Sequence, residues 1–188
     1  MRAEGDLPEL LAAIARTISQ SLGYRTVVVN LYRPAWDNFS VTTVHGNDAA
    51  RSILLGQVRT WEEWSPLLQP AFERRGAFVV PAGEYDWDAR LGDRSYVPDS
   101  TPGRGDNGWQ PEDALSLPMR HAGGHLLGLL SSDEPVSGRR PTDEELDVLV
   151  ALAEHAALAV QSAQEANQAA PHRIALDRPL GRSSRLIA

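Results

Sequence analysis

The sequence predicts an α+β domain built on a central antiparallel sheet of five or six strands, with its two terminal helices together on one face. Two observations carry that expectation. Two pairs of β-rich segments are each joined by a short turn, and a long amphipathic stretch lies toward each end of the chain.

The elements follow in order. Leu7, Leu10, Leu11, Ile14, Ile18 and Leu22 recur at helical spacing, so residues 7–22 form a helix that Gly23 closes at its C′ position. Residues 24–32 centre on Val27-Val28-Val29 and read as a strand. The turn Pro34-Ala35-Trp36-Asp37-Asn38 returns the chain along residues 39–45, which completes a hairpin. Asn47 or Asp48 caps a short helix reaching about residue 55, and residues 57–59 make a brief strand. Thr60-Trp61-Glu62-Glu63 fits a capping box, and Ser65-Pro66 opens a further helical turn. Residues 77–80 form a strand that Pro81 stops.

Residues 82–113 are rich in Gly and Pro and lack periodicity, which predicts a long loop with at most one helical turn. Loops of this length in compact domains are functional or disordered. Residues 113–119 and 125–133 make a second hairpin around Gly123-Gly124. Within it Gly128 interrupts an apolar run, which predicts close packing against a neighbouring element. Thr142-Asp143-Glu144-Glu145 is another capping box. It opens a helix with Leu146, Leu149, Ala153, Ala156, Val160 and Ala163 on one face, running to about residue 170, where Pro171 interrupts it. Residues 1–170 thus form one domain, and 171–188 a polar tail or linker to a further module.

Composition narrows the function. The net charge of −7 argues against broad electrostatic binding to nucleic acid. No uninterrupted apolar run approaches the ~18 residues of a membrane span, and the first residues lack an apolar signal core; a cytoplasmic protein without a membrane partner is expected. The chain has no cysteine and no lysine, so disulfides, thiolate chemistry, Schiff bases and a P-loop lysine are excluded.

The most specific segments are Trp109-Gln110-Pro111-Glu112-Asp113, Ser132-Asp133-Glu134-Pro135 and Gly138-Arg139-Arg140-Pro141, followed by the Ala/Leu helix. With them go Phe72-Glu73-Arg74-Arg75-Gly76, Pro81-Ala82-Gly83-Glu84 and Tyr96-Val97-Pro98. Over residues 7–164 the chain resembles a GAF domain, a PAS-related small-molecule sensor module. These segments look like the GAF domains of actinobacterial signalling proteins, where the module often precedes a cyclic-di-GMP synthase or phosphodiesterase domain, or another sensor. The resemblance implies terminal helices on one face of the sheet, with short helices and loops closing a ligand pocket on the other. The cysteines of GAF-type methionine sulfoxide reductases and of phytochromes are missing, as is the Asn-Lys-Phe-Asp-Glu motif of cyclic-nucleotide-binding members. An output domain, if there is one, lies outside this chain.

Trp61, Trp64, Tyr85, Trp87, Tyr96 and Trp109 fall in the segments that the resemblance puts over the pocket, with Asp113 at the end of the same loop. These seven are the candidate ligand-binding residues for an unidentified small molecule. The rings equally suit a core packed under a long loop. The acidic loop invites a calcium reading at Asp86-x-Asp88, but Leu91 and Val97 stand where an EF-hand needs Gly and Glu. His121 and His125 flank a turn without a third ligand, nothing around His45 or His155 favours haem, and no Gly-x-Ser-x-Gly elbow is present. Neither cofactor, metal nor catalytic residue is expected. The sequence therefore points to a non-catalytic sensor whose pocket occupancy is passed to the terminal helices, homodimeric through those helices, with residues 84–113 as a mobile lid. The alternative is a ligand-free dimerisation and spacing module.

Overall fold

A computed structural model describes residues 3–176. In chain order the elements are α1 (Ala3–Leu22), β1 (Tyr24–Arg33), β2 (Asn38–His45), α2 (Asp48–Leu54), β3 (Val58–Thr60), α3 (Trp61–Trp64), β4 (Glu73–Arg74), β5 (Ala77–Val80), α4 (Trp87–Arg90), β6 (Ala114–Arg120), β7 (Leu126–Pro135) and α5 (Asp143–Leu176). The strands form one sheet in the order β3-β2-β1-β7-β6-β5-β4, with every neighbouring pair antiparallel. The two hairpins meet at its centre, where β1 pairs with β7 from Tyr24 opposite Pro135 to Leu31 opposite Gly128.

The sheet has seven strands rather than five or six. The unexpected one is β4, two exposed residues at the sheet edge that leave no alternating pattern to read. Edge strands this short offer little unpaired backbone to another chain.

Both terminal helices cover one face. Leu11, Ile14, Ala15 and Ile18 of α1 and Leu146, Leu149, Ala153, Ala156, Ala157 and Val160 of α5 bury against Val27, Val29, Leu115, Leu117 and Met119 of the sheet. The helical and β periodicities thus converge on one core. Helix α5 begins with a reciprocal capping box. The Thr142 amide donates to Glu145 Oε2 at 2.8 Å, and the Glu145 amide donates to Thr142 Oγ1 at 3.2 Å.

Against expectation, α5 continues past Pro171 to Leu176. A proline forfeits its own backbone bond and crowds the preceding turn, which disfavours a helix without always ending it. The polar tail falls outside the described residues from residue 177 onward. Within Asp143–Gln168 of α5 one 18-residue window reaches a mean hydropathy of 1.3, long and apolar enough to span a membrane. Its apolar side packs on α1 and the sheet, the pattern of a core helix in a globular domain.

Gly128 sits where the sequence places close packing. A Cβ there would stand 2.3 Å from the Asn30 carbonyl oxygen, 2.6 Å from Met119 Cε and 3.3 Å from Leu31 Cα. Glycine lets β7 lie against the central strand at this point.

Candidate functional site

The face away from α1 and α5 carries the site, and strand alternation decides its floor. Val27 and Val29 point into the helix-side core, so Thr26, Val28 and Asn30 point the other way. Ser116 of β6 and Ser131 and Asp133 of β7 extend this floor. Above it stand Leu54, Trp64 and Leu67, with Trp87, Tyr96 and Pro111 from the 84–113 loop. Together they enclose a cavity of about 90 Å³.

The loop is tied down at several points. Trp87 Nε1 donates to the Glu112 carbonyl at 3.1 Å, Arg59 Nη2 donates to the Arg94 carbonyl at 3.0 Å, and the Arg140 amide donates to the Asn107 carbonyl at 2.9 Å. It also contains more helix than expected, with α4 followed by a 3₁₀ turn at Gly92–Arg94.

Of the seven candidates, Trp64, Trp87, Tyr96 and Asp113 line the cavity. Tyr85 lies buried beside it, its ring 4.5 Å from that of Trp87 and its hydroxyl donating to the Glu63 carbonyl at 3.3 Å. Trp61 is 48% exposed and borders a separate surface groove with Tyr32, Phe39 and His125. Trp109 departs furthest from expectation. Its ring belongs to the core under α1 and α5, and only its indole N–H reaches toward the floor, donating to Asp133 Oδ1 at 3.2 Å.

Asp113 is buried and fully engaged. Its carboxylate accepts from the amides of Ala82 at 2.8 Å and Gln110 at 2.9 Å. It also accepts two parallel bonds from Arg140, each 2.8 Å. That uses the acceptor capacity of a carboxylate. Asp113 therefore ties the cavity rim to the segment leading into α5, and Arg140 stays protonated above the ordinary guanidinium range because of this contact.

Asp133 is the most perturbed acid. Burial pushes its carboxyl up to about 7, and the neighbouring Glu134 charge adds to the effect. Bonds from the Glu134 amide at 2.6 Å and from the Trp109 indole oppose it only in part. Glu134 Oε2 accepts from the hydroxyls of Thr26 at 2.8 Å and Tyr96 at 3.3 Å. Burial and the Glu134 charge together push the Tyr96 phenol up to about 12, so it remains a donor at physiological pH.

Thr26, Asn30, Arg59, Ser116, Ser131 and Asp133 line the cavity although sequence reasoning did not select them. A signal was there. Asn30 follows three valines, and Ser131 and Asp133 follow Leu129-Leu130, so each is a polar interruption in a strand otherwise suited to burial. His121 and His125 stack across their turn, ring centres 4.2 Å apart. Among the described residues, no three His, Cys, Asp or Glu side chains converge to hold a metal ion. The cavity offers hydroxyl, amide, carboxyl and guanidinium groups set in an apolar wall, the composition of a small-molecule recognition site.

Comparison with known proteins identifies the fold. The GAF domain family model matches residues 6–160. A search of curated proteins found no match. Among solved structures, a GAF domain/HD domain protein from Geobacter sulfurreducens superposes with a TM-score of 0.64 at 18% identity, covering 87% of this chain and 99% of that one. The blue-light absorbing form of the PixJ GAF domain from Thermosynechococcus elongatus gives a TM-score of 0.61 at 15% identity, covering 97% and 98%. The GAF domain of a phosphoenolpyruvate-protein phosphotransferase from Coxiella burnetii gives 0.59 at 18% identity, covering 86% of each. At these identities the likeness concerns the fold.

Proposed function

The chain belongs to the GAF domain family, a common sensor and regulatory module of signalling proteins, and from that premise we propose that it is a non-catalytic small-molecule sensor. A ligand in the cavity between the sheet and the 84–113 loop biases the packing of the terminal helices, which pass the change to an output domain outside this chain. A cyclic-di-GMP synthase or phosphodiesterase fits that role in an actinobacterial signalling protein.

The observation that carries the reading is a pair of contacts leading from the cavity to the helix side. Asp133, on the floor, is bonded to the indole of Trp109, which lies in the α1/α5 core. Asp113, on the rim, is bonded twice to Arg140, two residues before the α5 cap Thr142. Any ligand that repositions either carboxylate alters what α5 packs against. The exposed Val148 and Leu158 on α5 suit a homodimer built through the terminal helices.

Native mass spectrometry of the purified protein tests the reading. A co-purified small molecule, released on denaturation, is the expected result. A ligand-free spacing module is the alternative, and the small size of the cavity favours it. Bare dimer masses, together with no stabilisation by any member of a metabolite panel, would establish that alternative.

A further inference from the structure

Arg59 is 7% exposed, at the middle of the edge strand β3. A guanidinium has five donor positions and remains charged at any physiological pH. Burying such a charge is costly unless an anion and hydrogen bonds compensate it. Here the protein supplies one bond, from Nη2 to the Arg94 carbonyl at 3.0 Å, and a stacking contact with the Trp64 ring at 5.7 Å. None of the ion pairs among the described residues involves Arg59. The acid whose charge supports Arg59, Glu63, makes its own bonds to Arg94 and to the Thr60 amide at the α3 capping box. Desolvation accordingly lowers the Arg59 proton affinity below the ordinary guanidinium range.

Two donors in this corner lack any protein partner, Arg59 Nε and Trp64 Nε1. Both residues line the same cavity, and Trp64 is only 4% exposed. A guanidinium Nε and an indole N–H, both without a partner and on residues that line one cavity, form a receptor for an anionic oxygen. Charge-assisted bonds of this kind are roughly twice as strong as neutral ones. The far side of the cavity carries acids instead. Asp133 lines it, and Glu134 lies behind the Thr26 and Tyr96 hydroxyls. That polarity suits a ligand whose anionic group sits at the Arg59 end.

We propose that the cavity recognises a small organic anion, its carboxylate or phosphate oxygens held by Arg59 Nε and Trp64 Nε1 and its remaining atoms facing the polar floor. The proposal rests on the sensor reading and gives its ligand a chemical class. The cavity space of about 90 Å³ is room for the anionic group itself, and acetate and inorganic phosphate are its simplest probes.

The test follows the Trp64 indole N–H resonance of the ¹⁵N-labelled chain, titrated with sodium acetate, inorganic phosphate, neutral acetamide and sodium chloride at fixed ionic strength. The resonance is expected to shift and saturate with acetate or phosphate and to stay fixed with acetamide and chloride. Which of the two anions binds more tightly distinguishes a carboxylate ligand from a phosphate. Arg59→Met should weaken that binding at least about tenfold, and Trp64→Phe about three- to tenfold, because each removes one charge-assisted donor. The wild-type titration decides the matter even if a variant fails to fold. Equal response to acetamide and acetate, no response to either anion, or undiminished anion binding by a folded Arg59→Met protein would overturn the proposal. A neutral molecule co-purifying in the cavity would also overturn it while leaving the sensor reading intact. The sensor reading itself falls only if the purified chain is also ligand-free and no member of the metabolite panel stabilises it.

Discussion

Replacing Arg140 with methionine removes a charge but keeps a side chain of similar reach. Its partner, Asp113, has a side chain with no exposed surface, whereas that of Arg140 is 22% exposed. Removing one member of a buried pair typically costs about 3–5 kcal/mol, because the other charge is left uncompensated. Two features reduce that here. The amides of Ala82 and Gln110 still bond the carboxylate, and Arg140 gives up only part of its hydration on folding. Arg140→Met should therefore destabilise by about 2–3 kcal/mol. For a domain of this size that lowers the thermal midpoint by roughly 5–10 °C. Urea denaturation followed by circular dichroism measures it, and a cycle with Asp113→Asn isolates the pair. The two substitutions should be strongly non-additive, with a coupling of at least about 1 kcal/mol. A folded Arg140→Met protein with an unchanged urea midpoint, or strictly additive substitutions, would show that the pair does not hold the rim to α5.

Three other outcomes follow from the same structure. Gly128→Ala should cost about 2–3 kcal/mol, because its Cβ would meet the backbone carbonyl of Asn30 at 2.3 Å; Gly123→Ala, whose Cβ would meet only the His121 and His125 side chains, the nearest atom at 3.3 Å, is the control, and equal urea midpoints would refute the packing argument. The contribution of Asp133 to stability should fall as pH rises from about 4 to about 7, since Asp133 holds its proton up to about 7 in the native state while the unfolded chain releases it near 3.8. The native state binds more protons across that window, so Asp133→Asn should remove a slope worth about 2–4 kcal/mol, seen in urea midpoints measured at several pH values. Light scattering should give the mass of a dimer, and Leu158→Glu, placing charge on the exposed side of α5, should shift it toward monomer; a monomeric wild-type chain would contradict the helix-pair reading.

The sequence announces the elements whose signals are local. Both hairpins, the Asn47 cap, the capping boxes at Thr60 and Thr142 and the tight approach at Gly128 each depend on a few adjacent residues. Which sheet face a residue occupies is a different matter, because it depends on register. The pairing shifts between Val29 and Asn30 on β1 and between Met119 and Arg120 on β6. A single inserted residue changes which side chains face the core. The 84–113 loop has no period at all, so nothing local sends Trp87 to the cavity and Trp109 to the opposite core. Arg59 was hidden for another reason: an arginine on a short edge strand is ordinarily solvated, and only the α3 and 84–113 cover buries it.

The central claim is that cavity occupancy is felt by the terminal helices. Hydrogen exchange, compared between the ligand-free chain and the chain saturated with the small molecule that native mass spectrometry identifies, tests it most directly. The account predicts that amides of the 84–113 loop outside α4 and its other hydrogen-bonded turns exchange fast without ligand and slow down with it, and that the first turns of α5 beyond Thr142 change protection in step. Uniformly strong protection of the loop without ligand, or an α5 whose exchange is the same in both states at saturation, would contradict it.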